Sequence, residues 1–171
     1  MNNKYSLITG GTAGIGLDIA KELAKRGHNI LLTARREERL KEISASIKKE
    51  FNVDCNYIAA DLADTSAPEM IYNFCSENNY IVEILVNNAG YSINKKFHET
   101  SEDEEDKFLR VLGLAVVGLT KKFIPSMLEQ KHGKIMMVSS LASFAPPSSG
   151  WGALYGPVKT CLLYTSDAAD E

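Results

Sequence analysis

Short apolar runs alternate along this chain with longer stretches in which apolar residues recur every three or four positions. "YSLIT" (5–9) predicts a buried strand, and Ile15, Ile19, Ala20, Leu23 and Ala24 then predict a helix that stops near Gly27. "NILLTA" (29–34) predicts a second strand, and the charged stretch 36–50, with Leu40, Ile43 and Ile47 on one face, predicts a surface helix. A third strand over 55–60, a helix over 67–78 and a fourth strand over 82–87 follow. Residues 103–130 carry a long helical pattern with an irregular start, and "KIMMVSS" (134–140) predicts a fifth strand. Strands and helices in strict succession imply right-handed crossovers and a parallel sheet covered on both faces, an α/β fold with no repeat, linker or second domain.

Composition narrows the function classes. With 44% hydrophobic and 24% charged residues among 171, the chain has the make-up of one soluble globular domain. A net charge of -3 gives no electrostatic footprint for nucleic acid, and no apolar run reaches membrane-span length, so neither is expected as a partner. The N-terminus enters a strand almost at once, which leaves no room for a signal peptide. Cys55, Cys75 and Cys161 show neither paired nor metal-type spacing, and the histidines are scattered, so a reducing, cytoplasmic setting and no metal site are expected. "SEDEED" (101–106) reads as a capping box of Ser101 with Glu104, with further carboxylates suited to a helix start. Lys121 and Lys122 read as a solvated face, and Met127, Met136 and Met137 as core filler.

The first strand runs into "TGGTAGIG" (9–16) and then into a helix. Gly10, Gly14 and Gly16 there suit a tight turn, a close backbone approach to a pyrophosphate, and free N–H groups aimed at its charge. A site for NAD(H) usually places an acid at the end of the second strand, to bind the ribose 2′-hydroxyl. This chain has Ala34 and then Arg35, whose guanidinium suits a 2′-phosphate, so NADP(H) is expected over NAD(H).

"NNAG" (87–90), "SS" (139–140) and "YGPVK" (155–159) complete a pattern with the glycine-rich opening. Together they resemble the short-chain dehydrogenase/reductase superfamily, in its branch of single-domain oxidoreductases, over residues 4–160. The resemblance implies a Rossmann-type doubly wound parallel sheet in the order 3-2-1-4-5, with later strands missing. It also implies cofactor contacts from Gly10, Thr12, Gly14, Ile15, Gly16, Arg35, Asp61, Leu62, Asn88, Ala89 and Gly90, with Tyr155 and Lys159 beside the nicotinamide. Asn87 more naturally braces its strand. Tyr155 would be the catalytic acid/base, Lys159 its partner, and Ser140 the group that positions the substrate oxygen, with Ser143 as the weaker alternative.

The chemistry also stands on its own. Hydride addition to a carbonyl leaves an alkoxide that needs a proton. A phenol with a free pKa of ~10 can supply it near neutral pH only with help. Lys159 lies four residues after Tyr155, one helical turn away, where a cation favours the phenolate. A hydroxyl at Ser140 would polarise the same carbonyl oxygen.

Two features depart from the family pattern. The expected catalytic Asn of the long helix falls at Leu112, counting back from Pro125. Its side-chain role is absent, although Leu112 still offers a carbonyl and Gly113 permits a bend. The spacing from Ser140 to Tyr155 is also longer than usual, stiffened by Pro146 and Pro147, loosened by Gly150, and carrying Trp151, which reads as a packed aromatic or else as a substrate-facing lid residue.

The last residues, "CLLYTSDAADE" (161–171), read as a translated sequencing adapter, which makes 1–160 an incomplete dinucleotide-binding domain. On that reading the chain as written is expected to be inactive and aggregation-prone, with an exposed edge strand and an uncovered sheet face. Its parent is expected to be a homodimeric or homotetrameric oxidoreductase acting on a small carbonyl or alcohol. A non-catalytic NADP(H)-binding sensor or scaffold is the alternative. A serine hydrolase is disfavoured by the lack of a nucleophile elbow.

Overall fold

A computed structural model describes residues 3–145 and 152–167, with side chains as far as 163. Five parallel strands, β1 (Lys4–Thr9), β2 (Asn29–Ala34), β3 (Cys55–Ala59), β4 (Ile81–Asn87) and β5 (Lys134–Met137), pair in the order β3-β2-β1-β4-β5. The helices are α1 (Gly14–Lys25), α2 (Glu37–Phe51), α3 (Ala67–Glu77), α4 (Glu102–Leu109), α5 (Ala115–Glu129) and α6 (Tyr155–Asp167). The architecture is the Rossmann-type sheet that the sequence implies.

Period-two alternation along the strands sorts the core into two layers. Leu7, Leu31 and Leu85 face α3 and α5, where Ile71, Leu119 and Phe123 meet them. Ile8, Leu32 and Val86 face α1 and α2, where Ala20, Ala24, Leu40 and Ile47 close the other side. Each fully buried aliphatic side chain of this kind contributes roughly 1.5–3 kcal/mol by leaving water. β1 lies at the centre, with β2 on one side and β4 on the other. The chain reverses its direction of travel across the sheet there, which opens a crevice at the carboxyl ends of the strands.

Several local features differ from the sequence reading. The long helix starts regularly: the Ser101 hydroxyl accepts from the Glu104 N–H at 3.2 Å, and the Glu104 carboxylate accepts from the Ser101 N–H at 3.0 Å. Its irregularity lies in the middle, a π turn over Arg110–Leu114 that contains Leu112 and Gly113. β5 ends at Met137, short of Ser139 and Ser140. After Val138 donates its N–H to the Asn87 carbonyl, the chain turns into a short 3-10 turn over Leu141–Ser143. Met127 is buried, but Met136 points outward from β5 and is 49% exposed, so it is not core filler. Lys121 is solvated, whereas Lys122 pairs with Glu69 of α3 and lies 5.7 Å from the Tyr72 ring centre.

Glu102–Glu129, continuous through the π turn, is long and apolar enough to cross a membrane by length and composition, which the sequence reading did not anticipate. Of its apolar residues, Leu112, Val116, Leu119, Phe123 and Met127 are buried against the rest of the molecule, whereas Leu109, Leu114, Val117 and Leu128 are exposed. Helix α6 does not break at Thr160. It runs on to Asp167, and Leu162, one turn from Lys159 on the same face, is buried. Pro146, Pro147, Gly150 and Trp151 lie outside the described residues, as does the tail beyond 167.

Candidate functional site

The carboxyl ends of β1 to β4 surround a cleft of about 310 Å³. Of the residues singled out in the sequence, Gly10, Thr12, Arg35, Asp61, Leu62, Ala89 and Gly90 line it. Gly14, Ile15, Gly16 and Asn88 stand outside that lining, and the last two lock the loop that forms its floor. The Asn88 amide donates to the Thr9 carbonyl at 2.9 Å and to the Gly10 carbonyl at 3.4 Å. Thr9, which the sequence reading passed over, is the hub beneath. Its buried hydroxyl donates to the Val86 carbonyl at 3.2 Å and accepts from the N–H groups of Asn88 and Ala89 at 2.9 and 3.0 Å. A threonine as the last strand residue before a glycine pair was the available signal. Asn87 braces β4 as expected, its amide lying 3.3 Å from the Thr120 hydroxyl of α5.

Two glycines are dictated by this geometry. Gly10 has φ +67°, and a Cβ there would stand 2.9 Å from the Ala89 Cα. Gly16 begins its close approach under the loop: a Cβ there would stand 2.6 Å from the Gly10 carbonyl oxygen and would also strike the Asn88 amide. Neither neighbour can yield without moving the loop. Gly16→Ala is therefore expected to cost about 1–3 kcal/mol of stability through overpacking and to weaken ligand binding in the cleft. A denaturant midpoint unchanged from wild type would contradict this account.

The start of α1 is open to an anion. Ala13 caps it without a side-chain hydrogen bond, and its first turn holds no carboxylate. The first turns of α2, α3 and α4 all carry acidic residues. An uncapped helix start presents unpaired N–H groups and a partial positive charge, which fits the pyrophosphate of a dinucleotide. Arg35 and Arg36, both exposed, stand at the β2 end of the same cleft.

Tyr155, Lys159 and Ser140 lie beyond the lining, towards β5. Lys159 connects the two regions: its ammonium lies 3.8 Å from where a Gly90 Cβ would sit. The ammonium is buried and donates to the Val138 carbonyl at 2.6 Å, and burial pushes its pKa below the usual lysine value. The Ser139 hydroxyl lies 2.9 Å from the Ser143 hydroxyl and donates to the Lys159 carbonyl at 2.8 Å, tying α6 to the 3-10 turn. Ser143, the weaker alternative, is held in that tie. The Ser140 oxygen accepts from the Ala142 N–H at 3.2 Å, an arrangement that leaves its proton to donate.

Phe108 was also missed by sequence reasoning. It is buried between Tyr91, whose ring meets it edge-on at 5.4 Å, and Tyr155, whose ring centre is 6.4 Å away. Its place one turn before Leu112 was the legible clue. Leu112 itself is fully buried, and its side chain reaches within 3.6 Å of a Gly90 Cβ position, so the π turn brings it against the cleft. Cys55 of β3 and Cys75 of α3 are inert by comparison: burial pushes their thiols up to about 11 and about 12.

Comparison with known proteins places this geometry in context. The family model for short chain dehydrogenase matches residues 4–167. The very-long-chain 3-oxoacyl-CoA reductase of Rattus norvegicus is 34% identical over 147 residues, covering 84% of this chain and 46% of that protein. The structure of L-sorbose reductase from Gluconobacter frateurii, complexed with NADPH and L-sorbose, superposes with a TM-score of 0.90 at 30% identity, covering 97% of this chain and 62% of that one. A metagenomic short-chain oxidoreductase in complex with NADP gives 0.90 at 29% identity, covering 99% and 76%. The chain spans about half the length of curated relatives such as the rat enzyme.

Proposed function

Because the chain belongs to the short-chain dehydrogenase family, we propose that the whole protein transfers hydride between NADP(H) and a small carbonyl or alcohol substrate. The observation that carries this reading is Lys159: a buried ammonium with no carboxylate partner among the described residues, placed at Gly90 on the inner end of the cleft. A buried cation of this kind is costly to the fold, and a site that binds hydroxyls and stabilises a phenolate explains its presence.

The bound nicotinamide would supply or accept the hydride. Gly10 and the open start of α1 would hold the pyrophosphate, and Asp61 and Leu62 the adenine end. Tyr155 would pass a proton to the substrate oxygen. Lys159, one turn along, would favour the phenolate between turnovers, and Ser140 would donate to the same oxygen. The carbonyl of Leu112, in its π turn, would stand where the family's Asn stands. NADPH- and NADP-bound structural neighbours support the phosphorylated cofactor. Exposed Leu114, at the end of the π turn, and Val117 of α5 fit a homodimeric or homotetrameric assembly. The free, buried thiols fit a reducing cytoplasm.

Absorbance of the nicotinamide in the presence of a carbonyl panel tests the activity. Binding without turnover across that panel would favour the sensor or scaffold instead. Arg35 tests the cofactor: Arg35→Ser is expected to weaken NADPH by about 10- to 100-fold, as a charge-assisted pair would. NADH should stay within a few-fold. Tighter binding of NADH than NADPH by the wild type would overturn the preference.

A further inference from the structure

The adenosine end of the cleft has two walls. Arg35 and Arg36 form one, at the end of β2. The other comes from α4 and the π turn after it, where Lys107 and, one helical turn on, Val111 both line the cleft. Resting on the NADP(H) reading above, we propose that Lys107 is a second recognition cation for the 2′-phosphate, reaching it from the wall opposite Arg35.

Three observations carry this. The charged lining holds three cations, Arg35, Arg36 and Lys107, against the single carboxylate of Asp61, a surplus that suits a dianionic group. Tyr91 lines the same cleft, its ring meeting Phe108 of α4 edge-on, and the charges of Arg35 and Lys107 both act on its hydroxyl. The Lys107 ammonium also feels Asp61 across the cleft, so both walls act on the same space. At present the ammonium pairs with Asp103 of its own helix at 2.7 Å, and that side chain is 55% exposed. An exposed pair one turn apart is weak and screened, so a phosphate dianion can displace the carboxylate. The flexible four-carbon stem lets the ammonium swing inward without moving the helix.

Adenosine fragments test this without any catalytic step. Binding of 2′,5′-ADP and 5′-AMP to the whole protein and to Lys107→Met would be measured by calorimetry at low and high salt. Methionine keeps the stem and removes the charge, and at this exposed position the change leaves the core untouched. The expected result is about tenfold weaker binding of 2′,5′-ADP, 5′-AMP within twofold of wild type, and a shallower salt dependence for 2′,5′-ADP. Lys107→Arg should retain most of the affinity. Equal weakening of both fragments would mean that the lysine stem serves the adenine ring, and it would overturn the proposal. Unchanged 2′,5′-ADP binding in Lys107→Met, with the wild-type preference for it intact, would overturn the proposal alone. A wild type that binds both fragments equally would remove the NADP(H) reading and this inference together.

Discussion

Tyr155→Phe is expected to lower turnover of the whole protein about 1000-fold, within the range for removing a positioned acid/base, while NADPH affinity changes by less than a few-fold. The asymmetry follows from the architecture. The cleft is lined from the ends of β1 to β4 and from α4, and Tyr155 is absent from that lining. Its ring contact with Phe108 is a property of the aromatic face, which phenylalanine retains. What is lost is one oxygen at the first residue of α6. Steady-state reduction of a carbonyl panel, followed by nicotinamide absorbance, reads the first effect, and a fluorescence titration reads the second. Turnover within about tenfold of wild type would remove Tyr155 from proton transfer and leave Ser140 as the remaining hydroxyl candidate.

The parts of this site that a reader of the sequence can find are those fixed by local rules. "YSLIT" and "NILLTA" announce buried parallel strands because both faces of each are covered, and β1 and β2 fall where those runs stand. The glycine-rich turn is legible because its function constrains the backbone at consecutive positions. Ser101 with Glu104 is legible because a capping box closes within one turn. The rest depends on what is far away in sequence. Asn88 proves to hold the glycine loop only because β4 lies next to β1, which brings residues nearly eighty apart into hydrogen-bond range. Met136 looks like core material, but on β5, the last strand of the described sheet, it is 49% exposed. Lys107 reads as one more charge on an acidic helix until α4 is laid along the cleft. The π turn at Leu112 has no local signature beyond Gly113, because an extra residue in a helical turn is set by what the helix packs against. There the contacts are Gly90 and α6.

Lys159 sets stability against function, and its replacement by methionine should separate the two. Lys159 is 4% exposed, and its ammonium donates to the Val138 carbonyl at 2.6 Å and has its pKa lowered by burial. Methionine fills the same volume without charge. It leaves the Val138 carbonyl without that donor, at a cost of about 1 kcal/mol, but removes the larger penalty of a buried cation that has no carboxylate partner among the described residues. Lys159→Met without ligand is therefore expected to be about 1–2 kcal/mol more stable than wild type near neutral pH. The pH dependence has a definite sign. Because the folded-state pKa lies below the usual 10.5, the unfolded chain binds the extra proton in the window between the two values. Wild-type stability thus rises with pH through that window. The advantage of the variant is full below the lowered value and fades as pH approaches 10.5. Turnover should move the other way, falling about 100-fold or more, because the phenolate loses the cation that favours it. Urea midpoints at about pH 7 and about pH 10, read beside the rate, test both halves. A variant less stable than wild type near neutral pH would make the lysine a structural brace, and its burial would then cease to be evidence for a catalytic site.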